Sequence, residues 1–451
     1  MQYLELYRRM FLKILLLSII IIFGCSPVSG EPAKYDWNPW KGPHLNGISD
    51  ESDWDTEFLK KDIRIKWKRD VGDGYSNVTI VGDFLYTMGF HIVPKRPLRT
   101  NILFCLKAST GKVVWKYTLK VHHGPWQLTK ATPVYSDGLV YSLTQDGNML
   151  CNDAYTGKLI WRNNVIKDFS ALAPKWTFAS SVHIEGDIAV ASVCRNGIAV
   201  NKKTGSVVWK SRAGRGSYST PVPYGCNGET YLAIFGSGAL YGVKALTGEV
   251  AWEYPWETLD ENAADPVILG DKIFISSGYD KGCALLDISS GKAKLLWSNT
   301  YMRSHIASPI IIGDYIYGID GDPTKKTFLV CLNLKDGSLS WKSRQLGITN
   351  MSSANGYLIM LDRIGKLYVV EANPYYYREI ASKKVLKQTD NLYFTAPVLC
   401  RSTLYFRGGM SDLYSIDISG QSGINYNIFI IIWDRLYSLL LIIMDFFDRL
   451  F

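Results

Sequence analysis

Apolar and polar residues alternate along most of this chain in short runs broken by tight Gly, Asp and Asn turns, the signature of strands that bury one face. The runs recur with a fixed period. Trp67, Trp115, Trp161, Trp209, Trp252, Trp297 and Trp341 are separated by 48, 46, 48, 43, 45 and 44 residues. A period in the mid-forties is too long for one hairpin and fits one four-stranded sheet per repeat, the blade of a β-propeller. The text ahead of each tryptophan repeats as well: CLKASTGKVVW, CNDAYTGKLIW, AVNKKTGSVVW, GVKALTGEVAW, LLDISSGKAKLLW and CLNLKDGSLSW. Each copy reads strand, turn, strand, and Gly111, Gly157, Gly205, Gly248, Gly291 and Gly337 supply the positive φ that a tight hairpin needs.

Upstream of each copy lies a second extended unit, clearest in ATPVYSDGLVYSLTQDGNML, DPVILGDKIFISSGYDKGCALL and SPIIIGDYIYGIDGD. Its starts fall near Asn77, Thr132, Phe178, Ser219, Ala264, Ala307, Met351 and Thr395, which predicts eight blades. Ile380 takes the tryptophan slot of the seventh repeat, and the eighth lacks a fourth strand. The lone strand DIRIKWKRDV around Trp67 is the piece that completes it. The expectation is an all-β, eight-bladed propeller of four-stranded antiparallel blades, closed by pairing the amino-terminal strand with the carboxy-terminal three.

The alternation of TG-x-x-x-W with TPV-x-x-DGxVY resembles the pyrroloquinoline quinone (PQQ) repeat of quinoprotein dehydrogenases and of the BamB outer-membrane-barrel assembly lipoproteins. The resemblance spans roughly residues 63 to 419 and speaks to fold more than to function. WNPWKGPHLNGIS (residues 37–49) is similar to the W-x-GP-x-x-x-G-x-S opening of secreted bacterial PQQ-like propellers of unassigned activity, and it pulls away from BamB.

Four segments follow: a signal peptide at 1–24, an amino-terminal extension at 25–60, the propeller at 61–420 and a tail at 421–451. Arg8, Arg9 and Lys13 precede an apolar run from Ile14 to Phe23 and then Gly24-Cys25-Ser26, which predicts export with acylation at Cys25. Simple secretion and an uncleaved anchor are the alternatives. Resemblance to Gram-negative lipoproteins points to the outer membrane or a periplasm-facing membrane anchor. In the tail, Asp434, Ser438, Asp445 and Arg449 fall on one face of a short carboxy-terminal helix, either lying on a membrane or docking a partner, or else without a role.

Net charge is +9, with 50 basic and 41 acidic residues scattered without a basic run, which argues against nucleic acid. No P-loop, dinucleotide fingerprint or paired-Cys zinc spacing occurs. Cys105, Cys151 and Cys331 each lie six residues before a hairpin glycine, so they are equivalent interior positions too far apart to bridge. Cys194, Cys226, Cys283 and Cys400 leave room for one bridge, with no spacing that selects a pair.

Candidate chemistry sits in the loops leading into the innermost strands. These carry His122, His123, Trp126, Lys130, Lys175, Trp176, Arg215, Tyr218, Asp265, Arg303, His305, Asn350 and Tyr393, a mixture suited to a concave binding site. The family resemblance implies, as a minority reading, a PQQ-dependent alcohol or sugar dehydrogenase holding PQQ with Ca²⁺, in which Asp265 mimics the base, Arg303 the quinone arginine and Trp176 or Trp126 the floor. Against it, no adjacent cysteine pair or CxxCH haem site is present, and Glu257 and Glu261 are the only glutamates in these loops. His122 and His123 lack a third ligand, so no metal site is expected. The favoured reading is a non-catalytic, exported binding or assembly scaffold whose partner is an envelope protein, a peptide segment or a glycan.

Overall fold

The computed structural model describes residues 33–92, 99–121, 128–259, 262–322, 326–347, 349–386, 395–408 and 411–420. They form an eight-bladed β-propeller of four-stranded antiparallel sheets. Blade 1, with strands A to D at Thr79–Val81, Phe84–Ile92, Arg99–Lys107 and Val113–Val121, sets the pattern. Blade 8 takes strands A to C from Val398–Leu399, Thr403–Gly408 and Asp412–Asp417, and its outer strand D is Arg64–Asp70. The pairing runs from Arg64 opposite Asp417 to Asp70 opposite Asp412, so both halves of the chain share one sheet and the ring has no open seam. Arg407 reinforces the junction from within: its buried guanidinium donates to the carbonyls of Met88 in the first blade and Gly72 in the segment leading to it.

The tryptophans stitch each blade to the next. Trp67, Trp115, Trp161, Trp209, Trp297 and Trp341 each donate the indole N–H to a backbone carbonyl at the C–D turn of the following blade, at 2.8–2.9 Å. A Cβ added at Gly111 would lie 2.6 Å from the Trp67 ring, so the turn glycine provides positive φ and also the space for the indole. Trp252 departs. It donates to the Tyr224 hydroxyl of its own blade, and Gly291 faces no indole. The cause is legible: Gly291 and Trp297 are six residues apart where the other five hairpins have four, so the blade 5 turn is longer and carries no seat for Trp252.

In each C–D pairing one residue of strand D is skipped beside the tryptophan position. In blade 7 this register places Ala381 opposite Val369, in the tryptophan slot, and Ile380 in the skipped position. The expected Ile380 is therefore off by one, because the turn PYYY carries no glycine from which to count. The volume that a tryptophan would fill is taken by Trp54, Phe58 and Leu59 from the amino-terminal segment, which pack with Ala381 and Leu386. Cys105, Cys151 and Cys331 stand on strand C between a tyrosine of strand B and the tryptophan of strand D, with Tyr86–Trp115, Tyr141–Trp161 and Tyr317–Trp341 ring centroids each 6.1 Å apart. The seven described cysteines are all free. Burial pushes the thiols of Cys105, Cys151, Cys283 and Cys400 up to about 12, which keeps them protonated and unreactive.

The predicted carboxy-terminal helix and Cys25 lie outside the described residues. A helix not expected from sequence, Val165–Phe169, follows strand D of blade 2; Asn164 caps it by accepting from the Lys167 amide.

Candidate functional site

Strand A of every blade starts at the axis, and the residues just ahead of it form a hydrogen-bonded belt. The amide of Asn77 donates to Thr132 Oγ1, Thr132 to Ser181 Oγ, Ser181 to Thr220 Oγ1, Thr220 to Asp265 Oδ1 and Asp265 to Ser308 Oγ, at 2.7–3.2 Å. In the other direction Asn77 Nδ2 donates to the Ala396 carbonyl of blade 8. Asn350 holds the same position in blade 7, where its carboxamide oxygen accepts from Met351 N. Asp265 is thus one member of a structural belt, the carboxylate among hydroxyls and amides.

Residues 37–51 run beneath this belt as a strap across the end of the axis bounded by the A–B turns. Trp37 exchanges backbone hydrogen bonds with Ile80 of blade 1, and the Asn38 carboxamide pairs with both backbone groups of Tyr135 in blade 2. Two residues later Trp40 donates to Asp265 Oδ2 of blade 5, across the ring, at 2.8 Å. Ile48–Ser49 then adds as a parallel strand to Ser353 and Ala354 of blade 7, and Glu51 accepts the amides of Arg401 and Ser402 in blade 8. The WNPWKGPHLNGIS phrase is therefore a plug. Beside Asp265 it buries Lys41, whose ammonium has no hydrogen-bond partner among the described residues; burial pulls that ammonium down to about 8, with the Asp265 charge opposing. Burial pushes the Asp265 carboxyl above its ordinary value, against the pull of Lys41 and of its donors Thr220, Trp40 and Ser308.

This geometry does not fit the base and arginine of a quinone site. Asp265 is 3 % exposed and both oxygens are engaged. Arg303 is held by Asp320 through two bonds of 2.7 and 3.0 Å and by Asp280 at 3.0 Å, so its guanidinium is committed to blades 5 and 6. His305 stacks edge-on against Tyr279 at 4.8 Å. Trp126, Tyr393, His122 and His123 lie outside the described residues.

What the structure does bring together is Trp176, Tyr218 and Lys130, from three successive D–A loops. Lys130 Nζ donates to the Trp176 carbonyl at 2.6 Å, to Thr177 Oγ1 at 3.0 Å and to the Leu128 carbonyl at 3.2 Å, and burial lowers its ammonium to about 8. The Trp176 amide donates to the Tyr218 hydroxyl at 2.8 Å. Both backbone groups of Trp176 are fixed from neighbouring blades, yet the residue as a whole is 49 % exposed, and Leu172 in the same loop is 55 % exposed. Leu172 in turn bridges Arg215 of the next loop, and Lys175 lies 5.6 Å from the Trp176 ring. An immobilised, half-exposed aromatic beside an aliphatic and cations is the composition of a binding anchor. Sequence named Trp176, Tyr218 and Lys130 separately; that Lys130 clamps a backbone carbonyl has no signal in one sequence.

A family model described as outer membrane protein assembly factor BamB matches residues 61–162 and 99–343. Among curated relatives, BamB of Burkholderia pseudomallei (strain K96243) is 25% identical over 283 residues, covering 57% of this chain and 66% of that protein. Quinohemoprotein alcohol dehydrogenase ADH IIB of Pseudomonas putida is 24% identical over 289 residues, 54% of this chain and 41% of that enzyme. The chain thus spans just under two thirds of the first relative and less than half of the second. Among solved structures, BamB from Moraxella catarrhalis superposes with a TM-score of 0.60 at 14% identity, covering 80% of this chain and 100% of that one. A europium-containing methanol dehydrogenase superposes at 0.63 with 12% identity, over 85% and 98%. Those structural likenesses carry the fold alone, whereas the repeat sequences and the family match across residues 61–343 establish that the chain belongs to the PQQ-like propeller family described as outer membrane protein assembly factor BamB.

Proposed function

We propose that this protein is an exported, lipid-anchored scaffold of the cell envelope that holds a peptide segment of an envelope protein against the Trp176 face without covalent chemistry. The observation that carries this reading is the fixation of Trp176 by Lys130 and Tyr218 while the residue stays half-exposed. A ligand meeting a pre-set aromatic avoids most of the ordering cost of binding, so a short segment gains useful affinity. The names of the BamB relatives, outer membrane protein assembly factors, support an assembly role, and the leader ending at Cys25 supports anchoring.

The test places a photo-crosslinking phenylalanine analogue at Trp176 in the full chain in cells. Cross-links to envelope proteins, lost when Leu172 is also replaced by Asp, are the expected result. Capture of polysaccharide instead would point to a glycan ligand and overturn the peptide reading. Replacing Cys25 by Ala releases the protein from the membrane fraction if the anchor is acyl. Purified protein with added PQQ and Ca²⁺ is expected to reduce no dye in the presence of alcohols; turnover would restore the dehydrogenase alternative.

A further inference from the structure

Blade 6 differs from its neighbours in the pairing of strands C and D. Each blade skips one residue beside the tryptophan position, but blade 6 shifts register a second time, between Phe328 and Val330, where Ser343 and Arg344 stand opposite Leu329. The bulge is satisfied internally: Ser343 Oγ accepts the Leu329 amide at 2.9 Å and donates to the Arg344 carbonyl at 2.7 Å. Such bulges re-aim side chains, and here Arg344 reaches Glu379 of blade 7 at 2.7 Å.

Between this bulge and the B–C turn of blade 7 lies a cleft of about 310 Å³. Lys326, Arg344, Arg363 and Lys366 line it, with buried Leu346 and Tyr368 supplying an apolar floor. The carboxylate in the lining, Asp362, sets one negative charge against these four cations, but it is buried and its hydrogen-bonding oxygens are engaged within its own blade. Its Oδ1 accepts the amides of Ile364 and Lys366 at 3.0 and 2.9 Å, and its Oδ2 accepts the Tyr368 hydroxyl at 2.8 Å. Glu379 balances Arg344, but Lys326 and Arg363 have no ion-pair partner among the described residues. Cations gathered around a concave, partly apolar surface focus a positive potential that a bound anion relieves.

We infer that the cleft between blades 6 and 7 is a second binding site, for a peptide segment that carries carboxylates next to an apolar side chain. The guanidinium of Arg363 suits a carboxylate fork, and the Leu346–Tyr368 floor gives an apolar neighbour somewhere to go, which a free phosphate or a sulfated glycan would not use. The site stands apart from the Trp176 face, which belongs to blades 2 to 4.

The test measures fluorescence anisotropy of a short labelled peptide alternating Glu and Leu with the purified full chain. A Gln/Leu peptide and inorganic phosphate as competitor are the controls. The expected result is saturable binding of the Glu/Leu peptide that weakens at least ~10-fold in K326E/R363E and by less in K326Q/R363Q, with unchanged thermal melting in both. W176A is expected to bind the peptide as the wild type does, so failure of the Trp176 face and failure of this site remain distinguishable. Equal binding of the Gln/Leu peptide, displacement by phosphate alone, or wild-type affinity in K326E/R363E would overturn the inference.

Discussion

A buried carboxylate and a buried ammonium face the same axial space, and neither position tolerates a charge alone. Asp265 holds belt and strap together through Thr220 and Trp40, while Lys41 offers its charge without a hydrogen bond. Removing one partner leaves the other uncompensated in a poorly solvated site, whereas removing both avoids that cost. D265N is therefore expected to lose about 3 kcal/mol in urea unfolding, and D265N/K41M to recover most of it. The pH dependence has a definite sign. Lys41 titrates at about 8 in the folded protein and at the ordinary 10.5 when unfolded, so between those values the unfolded chain holds a proton that the folded chain has released. Relative to K41M, the wild type gains stability as pH rises from 8 to 10.5 and loses that contribution as pH falls through 8, which paired denaturation curves would read. Asp265 looked like a candidate base because its loop opens on the axis. Its true company, Trp40 and Lys41, lies more than 200 residues away in sequence, and one sequence holds no record of that meeting.

At the scale of the element, the unit is an indole seated on a glycine turn of the next blade. Gly111 and Gly291 share a positive φ, of 66° and 74°, so alanine strains both backbones by about 1 kcal/mol. At Gly111 the new methyl also strikes the Trp67 ring, adding ~1–3 kcal/mol of overpacking, while at Gly291 the nearest atom is 3.6 Å away. G111A should thus melt clearly below G291A in parallel thermal scans; equal melting would contradict the stitching role. The blade rhythm was legible because every repeat spends the same residue types on the same turn. The two-residue insertion before Trp297 was legible too, although its effect on Trp252 was not. The second bulge of blade 6 left no mark, since Ser343 and Arg344 are ordinary strand residues whose register only the neighbouring strand decides.

At the scale of the whole molecule, the amino-terminal segment does two jobs that repeat counting could not assign. It plugs the axis with residues 37–49, and it supplies Trp54 and Phe58 where blade 7 has Ala381 in place of an indole. W54A and F58A should each cost ~3 kcal/mol or more although neither lies in a repeat, because each empties part of the core between blades 7 and 8. Ring closure itself was readable from the absence of a fourth strand in the last copy.

The strand Arg64–Asp70 finds its partner Asp412–Asp417 only after seven blades lie between them in the chain. Translation produces it before any blade, and although Trp67 can seat on the turn of blade 1, its backbone edge finds its partner only after the last, so throughout synthesis it remains an unpaired β segment. A ribosome stalled anywhere before residue 412 would release a chain with two open sheet edges, and such fragments should aggregate or be degraded where the finished ring does not.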